Sequence, residues 1–254
     1  IRASGEKQGG YFATAEDAQT FEDELRYMLA TQRGAFNSPV WFNAGIYEAY
    51  GAKGSACGLW AYDLEAHRTV EMQNSYERPQ CSACFIQSID DDLMDIADFV
   101  KREMRLFKGG SGSGANFSNL RAEGEPLSSG GTSSGVMSYL DVFDKGAGAI
   151  KSGGTTRRAA KMVILNVDHP DVEKFVEWKA REEDKVRALV KAGFSLEDSY
   201  HTVSGQNANN SVRVTDEYMQ AVIDGKSWDT KWRTNGGKVA KTLDARKLFR
   251  KIAE

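Results

Sequence analysis

Two cysteines stand three residues apart, at Cys81 and Cys84, in a chain with one other, Cys57. That spacing serves a redox pair or half of a zinc site, and equally a buried structural thiol. With three cysteines and three histidines in all, a complete structural zinc site is not expected. Twelve of the 25 glycines fall between Lys108 and Arg158. Gly109-Gly110-Ser111-Gly112-Ser113-Gly114-Ala115-Asn116 misses the dinucleotide fingerprint, because its third glycine comes early and charged helical Lys101–Phe107 precedes it. Gly146–Ser152 misses a phosphate loop at Ile150. Glycine still lets backbone N–H groups approach anions, and Lys151, Arg157 and Arg158 add charge. These segments point to a phosphate-bearing ligand, with turn-making alone as the alternative. His169, in Asp168-His169-Pro170-Asp171, reads as a helix-start residue rather than a base; no Ser/His/Asp constellation follows from spacing.

The elements that would hold such residues alternate between helix and strand. Thr14 predicts a helix N-cap, with Phe21, Leu25, Met28 and Leu29 at helical spacing. Asn37–Gly45 reads as a buried turn or short strand, and residues 46–80 as mostly irregular or helical. Cys81–Gln87 has strand character, and Asp90-Asp91-Asp92 opens a helix with Leu93, Ile96, Phe99 and Val100 on one face. Glycine-rich loops follow, mounted on rigid elements that include a helix through Val136, Tyr139, Leu140 and Phe143. Lys161–Val167 reads as a strand buried on both faces. A helix then starts at Asp168–Asp171 and buries Val172, Phe175 and Val176, while Arg181–Lys185 is a solvated surface. Ser211–Val214 alternates as a strand, Asn235-Gly236-Gly237 predicts a hairpin turn, and Ala245, Leu248, Phe249 and Ile252 predict a last helix. The expected class is α/β with a largely parallel sheet or barrel.

The chain has 254 residues, 41% hydrophobic and 27% charged, with net charge −3. These values suit one large domain or two small ones and argue against a whole-chain grip on nucleic acid or an anionic membrane. No apolar run is long enough to span a bilayer, no signal peptide is expected at Ile1–Glu6, and the cysteine usage suits a reducing cytoplasm.

Five motifs occur in order: Asn37-Ser38-Pro39-Val40-Trp41-Phe42-Asn43-Ala44-Gly45, Cys81-Ser82-Ala83-Cys84-Phe85-Ile86, Lys108–Asn116, Lys151–Met162, and Asn166-Val167-Asp168-His169-Pro170-Asp171. Together they resemble the catalytic chain of ribonucleotide reductase, and most of all its adenosylcobalamin-dependent class II. The resemblance runs from about Gly10 to Glu254. It implies the first half of a ten-stranded α/β barrel at 36–254, behind an N-terminal helical segment at 1–35. It implies reduction of ribonucleotides to 2′-deoxyribonucleotides by a thiyl-radical mechanism. Cys84 resembles the first member of the reducing cysteine pair, with Cys81 a poorer partner because the family's second reducing cysteine lies far downstream. Ser38, Ala83, Cys84 and Gly112 match substrate-contacting positions, and Gly114 could share that role. Asp91, Arg121 and the Gly124–Ser134 loop with Leu127 match effector-binding positions. Ser152, Gly153, Gly154, Arg157 and Arg158 resemble the specificity loop between the two sites; no metal ligand is implied.

The resemblance further implies a ribonucleotide substrate, a deoxynucleotide effector, a thioredoxin-like or other dithiol reductant, and a homodimer. It also implies a C-terminal half of the barrel, in the same or a separate chain. None of the three cysteines stands in the family's Asn-x-Cys-x-Glu finger loop, and no cobalamin-binding segment is identifiable. The 254-residue chain is therefore expected to have no turnover alone. The alternatives are the large chain of a metal-radical class I reductase, or a nucleotide-binding fragment without catalysis.

Overall fold

The computed structural model describes residues 1–7, 11–55, 58–150 and 159–254, in two compact units, Ile1–Ala83 and Cys84–Glu254. Cys57, Lys151 and the expected specificity-loop residues Ser152, Gly153, Gly154, Arg157 and Arg158 lie outside the described residues.

The first unit holds helices α1 (Arg2–Lys7), α2 (Ala15–Ala30), α3 (Ser38–Asn43) and α4 (Ile46–Tyr50), then a hairpin of β1 (Trp60–Asp63) and β2 (Arg68–Glu71). Thr14 caps α2 as its sequence predicts: its hydroxyl accepts from the Asp17 amide while Asp17 accepts from the Thr14 amide. Asn37–Gly45 is a short helix, not a turn or strand. Pro39 sits in the first turn, where its missing N–H is not needed, and Gly45 at φ +82° separates α3 from α4. The β1–β2 hairpin falls in a stretch whose sequence shows no clear strand pattern.

The second unit is built on four parallel strands in the order β3 (Cys84–Gln87), β4 (Gly112–Asn116), β5 (Lys161–Asn166) and β6 (Ala208–Arg213). Helix α5 (Leu93–Lys108) connects β3 to β4, and α6 (Val136–Ala149) lies between β4 and β5. Helices α7 (Val172–Lys191) and α8 (Leu196–Thr202) lead from β5 to β6. Then come α9 (Asp216–Asp224), β7 (Ser227–Lys231), β8 (Val239–Asp244) and α10 (Ala245–Ala253), with β7 and β8 paired antiparallel. A mixed α/β unit on a four-stranded parallel sheet is what part of an α/β barrel requires.

Helices cover one face of the sheet. Phe99, Phe117 and Phe143 meet there with ring centroids 5.2–5.4 Å apart, and Val163, Leu165, Val172 and Phe175 extend the same core. The other face is open: Ile86 is 87% exposed and Met162 45%. β5 is therefore buried on one face rather than two. Its apolar run conceals the difference, because a strand's side chains alternate between faces whatever their chemistry. Gly112–Asn116, glycine-rich enough to read as a loop, is an interior strand; paired on both sides, it gains from neighbours what its own side chains cannot supply. Glu182, inside the expected solvated run of α7, is buried and accepts from the Ser204 amide at 3.0 Å.

Candidate functional site

β3 and β4 place the candidate substrate residues by register. Cys84 opens β3, is exposed, and stands opposite Gly112; two residues on, Ile86 stands opposite Gly114, which faces Met162 across β5. Period-2 alternation puts Cys84, Ile86, Gly112, Gly114 and Met162 on the open face. A Cβ built on Gly114 would lie 3.5 Å from Ile86 Cδ1 and 3.8 Å from Met162 Cβ, ordinary contact that would fill the trough between those side chains. Cys84 is thus a free thiol on an open sheet face, not a buried structural cysteine. Cys81 is also free, and partial burial pushes its thiol pKa up.

Ser38 is the first residue of α3 and Ala83 the last of the first unit; each is half-buried there. Cys84, Gly112 and Gly114 are brought together within the second unit.

The covered face carries a polar chain that motif reading missed. Gln87 Nε2 donates to Ser113 Oγ at 2.8 Å, Ser113 hydrogen-bonds the Glu103 carboxylate, and Lys161 Nζ donates to Glu103 Oε2 at 2.8 Å. The Lys161 and Glu103 side chains are only 1% and 4% exposed. The ammonium also sits 4.8 Å from the Phe143 ring centroid, within cation–π range. Burial pushes the Glu103 carboxyl up and the Lys161 ammonium down, while each partner draws the other back towards the charged form. The available signal was a lysine at the head of the apolar run Met162–Leu165. These bonds link β3, β4 and β5 through α5 on the covered face, so they tie together the strands that carry the candidate site.

The effector candidates gather beyond the opposite ends of the same strands. Arg121 Nε donates to Asp91 Oδ2 at 2.6 Å, its amide to Asp91 Oδ1 at 3.2 Å, and its Nη1 to the Pro126 carbonyl at 3.3 Å. Leu127, 38% exposed, follows Pro126 in a turn closed by its amide on the Gly131 carbonyl and by the Pro126–Thr132 bridge. Asp91 and Arg121 thus bind each other. Seven residues separate Cys84 from Asp91, a reach of at most about 23 Å along an extended strand.

No described helix is long and apolar enough to cross a membrane, and no three described His, Cys, Asp or Glu side chains are grouped to hold a metal ion.

Comparison with known proteins bears on what such a sheet belongs to. Residues 82–254 match the model of the ribonucleotide reductase barrel domain, and residues 1–32 match that of class II vitamin B12-dependent ribonucleotide reductase. The chain is 43% identical over 320 aligned residues to a vitamin B12-dependent ribonucleotide reductase of Agrobacterium fabrum, covering 97% of this chain and 25% of that protein. It is 47% identical over 256 residues to one of Streptomyces clavuligerus, covering 100% and 23%. A vitamin B12-dependent ribonucleoside-diphosphate reductase of Thermoplasma acidophilum is 32% identical over 69% of this chain and 20% of its own. The chain spans about a quarter of the length of these curated relatives. With the barrel model matched across more than half of its residues, this chain belongs to the ribonucleotide reductase family, and its likeness is to the vitamin B12-dependent class II members.

Proposed function

We propose that this chain supplies the substrate edge, one redox cysteine and the effector loop of a class II ribonucleotide reductase that converts ribonucleotides to 2′-deoxyribonucleotides. The observation that carries the reading is the β3–β4 register. It sets a free thiol, Cys84, beside Gly112 on an open sheet face and leaves Asp91 and Arg121 beyond the far ends of the same two strands.

In this reading Cys84 is one of two thiols that together give up two electrons and two protons as their disulfide forms. The substrate 2′-hydroxyl leaves as water and is replaced by hydrogen. The second thiol lies outside this chain, and a dithiol reductant restores the pair. Gly112 and Gly114 lack side chains that would hold a ribose off the sheet, and Ser38 and Ala83 belong to the same substrate set. The specificity-loop role of Ser152, Gly153, Gly154, Arg157 and Arg158 and the association into a homodimer are part of the same proposal, as is the division into a helical segment at 1–35 and a barrel half at 36–254.

Adenosylcobalamin supplies the radical when bound. On the barrel unit, His169 is buried with both ring nitrogens engaged, and His201 stands on α8 rather than on the sheet. The strands that bear Cys84, Gly112 and Gly114 therefore offer the corrin no imidazole, and no contact to it is assigned to the described residues.

The test uses the full-length polypeptide with adenosylcobalamin, a dithiol and ribonucleoside di- or triphosphates. Deoxynucleotide formation is expected, and Cys84→Ser should abolish repeated turnover while substrate still binds. Multiple turnovers by Cys84→Ser would remove Cys84 from the reaction.

A further inference from the structure

Asp168-His169-Pro170-Asp171 stands out in the sequence, yet the chemistry proposed above does not use it. In the structure it follows β5, and its side chains close on residues 120–136, the segment that carries Arg121 and Leu127. His169 is fully buried. Its Nδ1 accepts the Asp171 amide at 3.1 Å, so Nε2 carries the proton and donates to the Leu120 carbonyl at 2.9 Å. Asp171 turns its carboxylate away from its own helix: Oδ2 accepts from the Glu123 amide at 3.1 Å and the Val136 amide at 3.4 Å, near the two ends of the loop. Gly135, at φ +83°, makes that closure possible. A Cβ there would stand 2.7 Å from the Glu123 nitrogen and 2.8 Å from Asp171 Oδ2.

The middle of the loop is held from the β7–β8 connection. Arg233 forks onto Asp168, with Nη1 to Oδ2 at 3.2 Å and Nη2 to Oδ1 at 2.9 Å. The neighbouring backbone then presents the Arg233 and Thr234 amides and the Thr234 hydroxyl to the buried carboxylate of Glu125, at 2.7–3.2 Å. The Ala122 amide is a further donor to it, at 2.7 Å. Leu120 and Ala122, on either side of Arg121, are thus both tied. So is Glu125, beside the Pro126 carbonyl that receives the Arg121 guanidinium. The loop is held at fixed points while Arg121 itself is left on the more exposed side.

We propose that Asp168, His169 and Asp171, together with Glu125, Arg233 and Thr234, form a cradle that positions the loop for a deoxynucleoside polyphosphate, Arg121 being the group that meets its phosphates. These are positioning residues, acting through the loop; the proposal rests on the reading of Asp91, Arg121 and Leu127 as effector contacts. Their effect belongs in effector affinity ahead of substrate affinity, because the tied segment lies beyond the strand ends opposite Cys84 and Gly112.

The experiment titrates the full-length polypeptide with each of the four deoxynucleoside triphosphates and measures substrate KM without effector. Asp171→Ala should weaken the preferred deoxynucleotide about tenfold or more, the scale expected when one buried and one part-buried amide lose a charged acceptor. Asp171→Asn keeps an acceptor oxygen there and should recover most of that loss. Thr234→Val, which removes one donor from Glu125 at constant shape, should weaken binding severalfold. In each variant the effector Kd should rise by a larger factor than substrate KM. Should Asp171→Ala fail to fold, Asp171→Asn and Thr234→Val carry the test. The cradle is overturned if these variants bind deoxynucleotides as wild type while Arg121→Ala does not, or if effector and substrate affinity fall together. If Arg121→Ala binds as wild type, the effector reading fails and takes the cradle with it.

Discussion

Replacing Lys161 by Met removes one member of an ion pair whose side chains are 1% and 4% exposed. The surviving Glu103 carboxylate keeps Ser113 as a partner but loses the ammonium that pairs with it at 2.8 Å. Breaking such a buried pair costs about 3–5 kcal/mol. For a domain of 150–250 residues each kcal/mol lowers Tm by about 2–4 °C, so the expected fall is about 6–20 °C. The sign of the pH dependence follows from Glu103. Burial raises its folded pKa above the unfolded value, and without Lys161 that rise is countered by the Ser113 hydrogen bond and no longer by the ammonium. Such a group contributes stability that is full below its unfolded pKa and is lost as pH rises through the folded one. The penalty in Lys161→Met should therefore be smaller at pH 5 than at pH 8, changing by up to about 1.4 kcal/mol per pH unit while the folded carboxyl stays protonated. The double variant Lys161→Met, Glu103→Leu leaves no stranded charge and should return to within about 1–2 kcal/mol of wild type. Thermal and urea melts of Lys161→Met, Glu103→Leu, the double variant and wild type at pH 5, 6.5 and 8 measure all of this. A single-variant loss below about 1 kcal/mol, or a double variant as unstable as the worse single, would refute the reasoning.

Other outcomes are expected. Arg121→Ala should weaken deoxynucleotide binding more than substrate binding, as read by equilibrium titration of each; it also frees Asp91 from its 2.6 Å partner. Burial alone would raise the Glu125 carboxyl, but donors from Thr234, Ala122 and Arg233 outweigh it and hold the pKa below its ordinary value. That stabilisation is present above the unfolded pKa of about 4.3 and is lost as pH falls through the folded value, so Glu125→Gln should flatten the acid limb of a stability–pH curve. Asp92→Ala removes the acceptor that caps α5, whose Oδ1 receives the Met94 and Asp95 amides at 2.9 and 3.1 Å. A loss of about 1 kcal/mol in urea melts is expected.

Helix α5 shows where sequence pattern succeeds. Its acidic cap and 3.6-residue spacing are local, and Ile96 and Phe99 are buried as the pattern requires. Leu93, on the same expected face, is 66% exposed because the core ends before the first turn does. β4 shows where pattern fails: Gly112-Ser113-Gly114 carries no strand signal, and only pairing with β3 and β5 makes it one. Motif order went further than periodicity, since five short segments sufficed to indicate the family that the comparisons show.

By itself the sequence determined most of the helices and strands of the second unit, β4 excepted, the parallel class of its sheet, and the family, because these rest on local spacing and on residues adjacent in the chain. Tertiary structure decided which face of the sheet stays open, that Lys161 pairs with Glu103 across 58 positions, and that Asp171 serves a loop 48 residues earlier. Such partners share no local pattern. A buried charge or carboxylate takes whatever donor the fold brings within about 3 Å, and that geometry exists only after the strands have paired.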